Sequence, residues 1–285
     1  MRLVDYEHYI KSESTARRYL LKFCWKNHQR YCPRCRQRKN YPLNDGRRRC
    51  AQCFYTYHDF TGRWINNCDL TCQNWLRLIK LFDMDLTVLA MNKELDLAYN
   101  TVYKAVTTIR CAIAASAIDA RDFFGTDRSI ELKTTGRVLS PTPSSKLSTP
   151  VFGVIEHSGV AFVDLVPGLR PETVFHFHQN FGLELGHWGK TYFSAPYQRY
   201  HALLFCTATA PPRFLEFTLA PLHPSLKPSP DFLNYLLDKI RRYRGLSPEK
   251  FPLYVKELAF RYNNRNMDIF LETARLLCSF VPKFG

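Results

Sequence analysis

The chain has 285 residues, with 40 Lys+Arg against 25 Asp+Glu, a formal charge of +15, and 46% apolar residues. Its Phe, Tyr, Leu and Val content can fill a core and excludes a disordered basic tail. No apolar run approaches the roughly 18 residues of a membrane span, and MRLVDYEHYIKSES lacks the apolar stretch of a secretory signal. The expectation is a soluble basic protein with one large domain and smaller ones, whose first-choice partner is a polyanion.

Residues 1–24 carry apolar positions at helical spacing (Tyr6, Tyr9, Ile10, Tyr19, Leu20, Leu21) and are read as one amphipathic helix. Residues 25–66 are read as a zinc ribbon. Cys32-x-x-Cys35 and Cys50-x-x-Cys53 are two knuckles separated by 14 residues. Four thiolates at that spacing can converge tetrahedrally on one Zn²⁺. Asn44-Asp45-Gly46 between them supplies the positive φ of a hairpin turn. The other six cysteines (Cys24, Cys68, Cys72, Cys111, Cys206, Cys278) lack such pairing and are read as small core hydrophobes.

From Arg30 to Arg63 nine basic residues (Arg30, Arg34, Arg36, Arg38, Lys39, Arg47, Arg48, Arg49, Arg63) meet only Asp45 and Asp59, a net +7. With Tyr31, Tyr41, Phe54, Tyr55 and Tyr57 among them, they suit phosphate contact with some stacking. The competing reading is a solvated ribbon that docks on protein.

Residues 67–118 are read as helical. One helix runs from Asp69 to about Leu81, a second covers 86–95, and after a break at 96–99 a third covers 100–115, with Asn100 as its N-cap. Leu89, Leu95 and Leu97 face Val102, Val106 and Ile109. This is the layout of a helix-turn-helix, with Tyr99, Asn100, Thr101, Tyr103, Lys104 and Thr107 toward double-stranded DNA; a plain helical hairpin is the alternative.

Residues 119–275 are expected to form a mixed-sheet α/β core with an exposed Ser/Thr/Pro-rich loop at 133–149. Strands at about 151–156 and 160–166 flank a His157-Ser158-Gly159 turn. A helix at 171–180 follows, then a strand at 190–195, further strand material from His201 to Ala220, a helix opening near Pro230, and a final helical stretch from Phe251. Arg241, Arg242 and Arg244 head a second basic cluster with Lys227, Lys239, Lys250, Lys256, Arg261 and Arg265. His176, His178, His187 and His201 are read as surface or core residues, with a second metal site as the alternative.

The ribbon followed by FTGRWINNCDLTCQNWLRLIKLF, the hairpin TPVFGVIEHSGVAFVDLVPG and DKIRRYRGLSPEKFPLYVKELAFRYNNR together resemble one group over residues 20 to 270. These are the insertion-sequence transposases that join an N-terminal zinc ribbon to an RNase H-like DDE core, related to the Merlin elements of eukaryotes. The resemblance implies three acids holding two divalent metals about 3.5–4 Å apart for phosphoryl transfer on DNA. It also implies a dimer or larger assembly, and an intracellular place: nucleoid or cytoplasm in a bacterium, nucleus in a eukaryote.

Matched residue by residue, the three acid positions fall on Lys133, Ala195 and Pro230. An ammonium repels the metals and an alanine offers no ligand. Asp127 or Glu131 and Asp231 are possible substitutes for the first and third, but no acid lies between Leu185 and Glu216. The sequence therefore reads as a catalytically dead, transposase-derived DNA-binding or accessory protein with structural Zn²⁺. Mg²⁺ or Mn²⁺ enters only in the alternative of an active transposase with a shifted triad; a protein-docking module is the third reading.

Overall fold

The computed structural model describes residues 3–25, 27, 29–125, 151–166, 202–206, 214–218, 231–240, 242–243 and 250–282. The expected helix at 171–180, the strand at 190–195, the loop at 133–149, the four histidines, Arg241, Arg244 and the three degenerate positions Lys133, Ala195 and Pro230 lie outside them, as do the alternative acids Asp127 and Glu131.

The N-terminal segment is two helices rather than one, α1 (Leu3–Ile10) and α2 (Glu13–Cys24). Ser12 breaks it by taking an extended backbone and accepting from Thr15 N–H at 3.2 Å, an N-cap of the kind typically worth about 1 kcal/mol. The ribbon follows as three short antiparallel strands, β1 (Asn40–Pro42), β2 (Arg48–Cys50) and β3 (Thr56–Tyr57). The β1–β2 connection is the expected hairpin, with Gly46 at φ +78°.

A 3-10 turn (Trp64–Asn67) leads into α3 (Cys72–Asp83), α4 (Val88–Leu95), α5 (Tyr99–Ala115) and the short α6 (Ala120–Gly125). α3 starts at Cys72 rather than Asp69 because Thr71 caps it, accepting from Asn74 N–H at 3.1 Å. The Glu13 carboxylate of α2 accepts from the next two free donors, Cys72 N–H at 2.8 Å and Gln73 N–H at 3.0 Å, fastening the two helices together. Thr87 caps α4, and Asp96 closes it in the left-handed region. The chain is then ready to re-enter a helix at Tyr99, so Asn100 sits inside the first turn and caps nothing.

α5 is the central pillar. Every residue from Ala105 to Ala114 is buried, as expected of a helix packed on all sides. α3, the 3-10 turn, α4, α8 (Phe251–Asn263) and α9 (Ile269–Leu277) all pack on it. The final helical stretch is thus two helices, divided where Asp268 caps α9 by accepting from Leu271 N–H at 3.1 Å.

Four strands form the second sheet: β4 (Phe152–His157), β5 (Val160–Leu165), β6 (Ala202–Cys206) and β7 (Phe214–Thr218), in the order β5-β4-β6-β7. The expected hairpin is present, turning tightly through Ser158 at φ +51° and Gly159 at φ +74°. Every described pair is antiparallel, so the parallel pairing that a mixed sheet requires is not found among the described strands.

The outer edge of β5 is closed by side chains. Asn263 of α8 accepts from Ala161 N–H and donates to its carbonyl, both at 2.8 Å. Lys256 donates to Val163 O at 2.5 Å, and Asp119 accepts from Leu165 N–H at 3.0 Å. These contacts occupy backbone groups that would otherwise be open to another strand.

α7 (Asp231–Ile240) lies against α8, and its N-terminus is capped from β4: the Glu156 carboxylate accepts from Phe232 N–H at 3.2 Å and from Tyr262 Oη at 2.5 Å.

A buried ion cluster joins α5 to α8. Arg110 Nε lies 2.6 Å from one Glu257 oxygen and Arg261 Nε 2.8 Å from the other, and Arg261 also donates to Phe82 O at 2.7 Å. Burial alone would raise the Glu257 pKa, but the two guanidiniums hold it below the ordinary value. Two members of the expected C-terminal basic cluster are therefore internal: Arg261 here, and Lys256, which is paired with Asp119 at 2.6 Å. Lys239 is paired with Asp85, and Arg242 lies 3.6 Å from Asp238 and 3.8 Å from Asp85.

Candidate zinc ribbon and nucleic-acid interface

The two knuckles face each other at one end of the three-stranded sheet. The ligand atoms of Cys32, Cys35, Cys50 and Cys53 all lie within 4.8 Å of one another. Sγ of Cys32 is 3.6 Å from that of Cys53, and Sγ of Cys35 is 3.5 Å from that of Cys50. A tetrahedron with Zn–S bonds of about 2.3 Å has edges of about 3.8 Å, so the four sulfurs fit the ion. Among the described residues no other group of three or more His, Cys, Asp or Glu gathers this closely.

Backbone N–H groups shape the sulfur environment. Those of Cys53 and Gln52 draw the Cys50 thiol down to about 6. At Cys35 the Gln37 N–H pulls the same way, but desolvation and the three neighbouring thiols overcome it and push the group up to about 12. Thiols this close cannot all ionise without a cation between them, which is the condition that zinc satisfies.

Each knuckle turns on a left-handed residue, Arg36 at φ +63° and Phe54 at φ +56°. These are bulky side chains where glycine is the easy choice. Arg36 docks toward the body, its guanidinium 5.2 Å from the Tyr31 ring centre and 5.1 Å from that of Phe280. Phe54 turns outward and is 64% exposed.

Strand alternation sorts the basic residues into two faces. Tyr41 is opposite Arg49 in the β1–β2 register, and Lys39 O accepts from Ala51 N–H one step further on. Lys39, Tyr41, Arg47 and Arg49 thus share the outer face, and all four are exposed. Arg49 stands 5.5 Å over the Phe54 ring. Arg47 pairs with Asp45 of its own turn at 2.5 Å, both side chains in solvent. The inner face carries Asn40, Arg48, Cys50 and Tyr57. There Arg48 donates to Asn40 Oδ1 at 2.9 Å and lies 4.0 Å from Asp59, so it is largely engaged within the ribbon.

Asp59 is buried and also gathers Arg30 at 2.9 Å and Arg17 at 3.4 Å. Arg63 is buried too: its guanidinium donates to Cys24 O at 2.6 Å, to Cys278 O and to Asp59 O, between the rings of Trp25 and Phe280. It binds the ribbon's exit to both ends of the chain and leaves the count of surface charges. The remaining expected contacts Arg34, Arg36, Arg38 and Lys39 are exposed.

On α5 only the first turns reach solvent. Tyr99 and Asn100 are exposed; Thr101, Tyr103 and Lys104 are half-buried. Thr107, expected on the outer face, is buried and donates to Tyr103 O at 2.8 Å. Leu89, expected in the core, is 57% exposed, whereas Met91 is buried. The cysteines outside the ribbon behave as read: Cys24, Cys68, Cys72, Cys111 and Cys278 are buried.

Composition places Tyr41, Phe54 and Arg48 in one undivided basic-aromatic set. The period-2 alternation of β1 and β2 is the signal that separates them. No sequence signal points to Arg63 as a structural residue.

Residues 11–56 match the family model of the transposase zinc-ribbon domain. The match starts before α2, a helix that lies ahead of the expected ribbon boundary at residue 25, and ends at the start of β3. No curated protein and no solved structure matches the chain. The N-terminal region is therefore similar to the zinc-ribbon domain of transposases, with its four cysteines gathered as a zinc site requires. No helix among the described residues is long and apolar enough to cross a membrane.

Proposed function

We propose that this is a transposase-related protein that binds double-stranded DNA through the outer face of its zinc ribbon and the exposed start of α5, with α4 and α5 serving as a helix-turn-helix. The observation that carries the reading is the outer face itself, where Lys39, Arg47 and Arg49 stand together in solvent without a buried acid beneath them. Arg34, Arg36 and Arg38 extend the charge around the first knuckle, and Asn100, Thr101, Tyr103 and Lys104 supply polar groups at a helix start, where such helices address base edges. Zinc in this reading is structural: bound to Cys32, Cys35, Cys50 and Cys53 it cross-links a unit too small to hold itself together.

The proposal includes loss of metal-dependent cleavage, and the support is in the sequence: Lys133, Ala195 and Pro230 stand where the transposase resemblance places acids. Glu156, the β4 acid at the start of α7, is already engaged by Tyr262 and Phe232 N–H. Arg241, Arg242 and Arg244, which follow α7 in the sequence, complete the proposed contacts on an RNase H-like core. A homodimer or larger assembly on DNA follows from the same resemblance.

Titration of a labelled duplex across salt concentrations tests the binding. Replacing Arg47 and Arg49 by Gln flattens the log–log salt slope by roughly 0.9 for each phosphate left unneutralised, while Arg48→Gln leaves it nearly unchanged. No affinity at low salt with zinc bound points instead to a protein-docking module. Cutting or joining of DNA in Mg²⁺ or Mn²⁺ by the purified protein overturns the loss of catalysis and leaves the binding reading standing.

A further inference from the structure

The outer face of the ribbon is more than a row of charges. Tyr41 is 52% exposed and Phe54 64% exposed, and Arg49 connects them, cross-strand from Tyr41 and 5.5 Å over the Phe54 ring. An intact duplex can meet the cations of this face with its phosphates, but its stacked bases leave the two open aromatic rings without a partner.

The backbone adds an independent observation. Phe54 holds a left-handed conformation at the turn of its knuckle, where glycine would be unstrained, and its ring is not used in the core. Arg36, in the equivalent place in the other knuckle, lays its guanidinium over the paired rings of Tyr31 and Phe280. Packing therefore accounts for the residue in one knuckle and leaves the exposed ring in the other unexplained.

Resting on the DNA-binding reading above, we infer that the Tyr41–Arg49–Phe54 face binds unpaired nucleotides, so that the preferred substrate is a duplex with a single-stranded tail or a melted end. Tyr41 and Phe54 supply faces for two bases, Arg49 a planar cation that stacks and pairs with phosphate, and Lys39 and Arg47 follow the strand's backbone at the rim. α5 holds the adjoining duplex.

The experiment compares the full-length, zinc-loaded protein on three labelled DNAs of one sequence: a blunt duplex, a single strand, and the duplex carrying a single-stranded tail. The tailed duplex is expected to bind most tightly. Phe54→Leu and Tyr41→Leu, both solvent-exposed changes, each reduce tailed-duplex affinity by roughly tenfold, the size of one base stack, and leave blunt-duplex affinity unchanged. Phe54→Tyr, which keeps a stacking ring, restores it. Equal affinity for blunt and tailed duplexes, or a tail preference that survives both leucine variants, overturns the inference while the DNA reading stands. Failure of all three DNAs to bind at low salt overturns the DNA reading and this inference with it. Unchanged zinc content in the variants shows that the ribbon remains folded.

Discussion

The ribbon and the helical body are stabilised by different means. The body has one continuous core, running from Tyr6 and Leu20 through Trp64, Trp75 and Ile109 to Leu258 and Phe270, with Arg110, Glu257 and Arg261 locked inside it. The ribbon's own cluster is Cys32, Cys50 and Tyr57, with Cys53 packed against them. Three of those four residues are proposed zinc ligands. A unit of that size lacks the apolar burial to offset its conformational entropy, so metal coordination substitutes for a core. The contrast identifies which residues are free to act: the interior of the body holds Arg110, Lys256, Glu257 and Arg261, whereas most of the ribbon's basic residues are displayed.

Removing the metal tests this contrast most severely. Chelation, or Cys32→Ser with Cys35→Ser, is expected to unfold the ribbon, since structural zinc binding contributes on the order of 10 kcal/mol. Limited proteolysis then cuts between β1 and β3, while the helical circular dichroism of the body persists. Loss of both signals together would show that the two regions fold as one.

Next is the buried cluster. Glu257→Gln removes the carboxylate that Arg110 and Arg261 share, leaving Arg261 the looser contact with Asp85 at 3.8 Å, and is expected to cost about 3–5 kcal/mol, read as a lower Tm of the body with zinc retained. The same site gives a pH signature. The Glu257 carboxyl is held below its ordinary value of 4.5, so its contribution is present above that value and is lost as the pH falls through the lower, folded-state pKa. The Tm gap between parent and Glu257→Gln is therefore largest near neutrality and closes in acid.

Arg63 is the joint between the regions. Arg63→Met keeps an apolar stem between Trp25 and Phe280 but strips donors from the carbonyls of Cys24, Cys278 and Asp59. The expected cost is about 2–3 kcal/mol, with hydrogen exchange increased around Gly62 and Val281, which are joined by a 2.9 Å backbone bond.

The smallest effect is at Phe54. Replacement by Gly releases the left-handed strain and is expected to make the ribbon more stable by about 1 kcal/mol, measured as increased resistance to zinc extraction. A gain in stability with a loss of tailed-DNA binding would separate the ring's functional role from its structural one.

Local sequence was enough to specify the zinc site. Two CxxC knuckles around an Asn-Asp-Gly turn fix their own geometry, because the strands between them are short and the turn residues leave little choice. Apolar period also locates the helices of the body and the β4–β5 hairpin, but the caps at Ser12 and Thr71, which split residues 1–24 into two helices and move the start of α3 to Cys72, emerge only in the structure. What the charges do depended on long-range packing. Arg63, Arg110, Lys256 and Arg261 look like surface basic residues in the sequence. Each is buried because a partner distant in sequence is brought beside it when the helices pack: Cys278 O for Arg63, Glu257 for Arg110, Asp119 for Lys256 and Phe82 O for Arg261. Likewise α5 has the pattern of a recognition helix, yet α8 and α9 close over all but its first turns. Within the ribbon, pleating of β1 and β2 separated Tyr41 and Arg49 from Arg48 and Tyr57. Among the described residues, Arg63, Arg110, Lys256 and Arg261 are thus internal charges that hold the fold together, and the outer face of the ribbon is an exposed basic surface for the proposed partner.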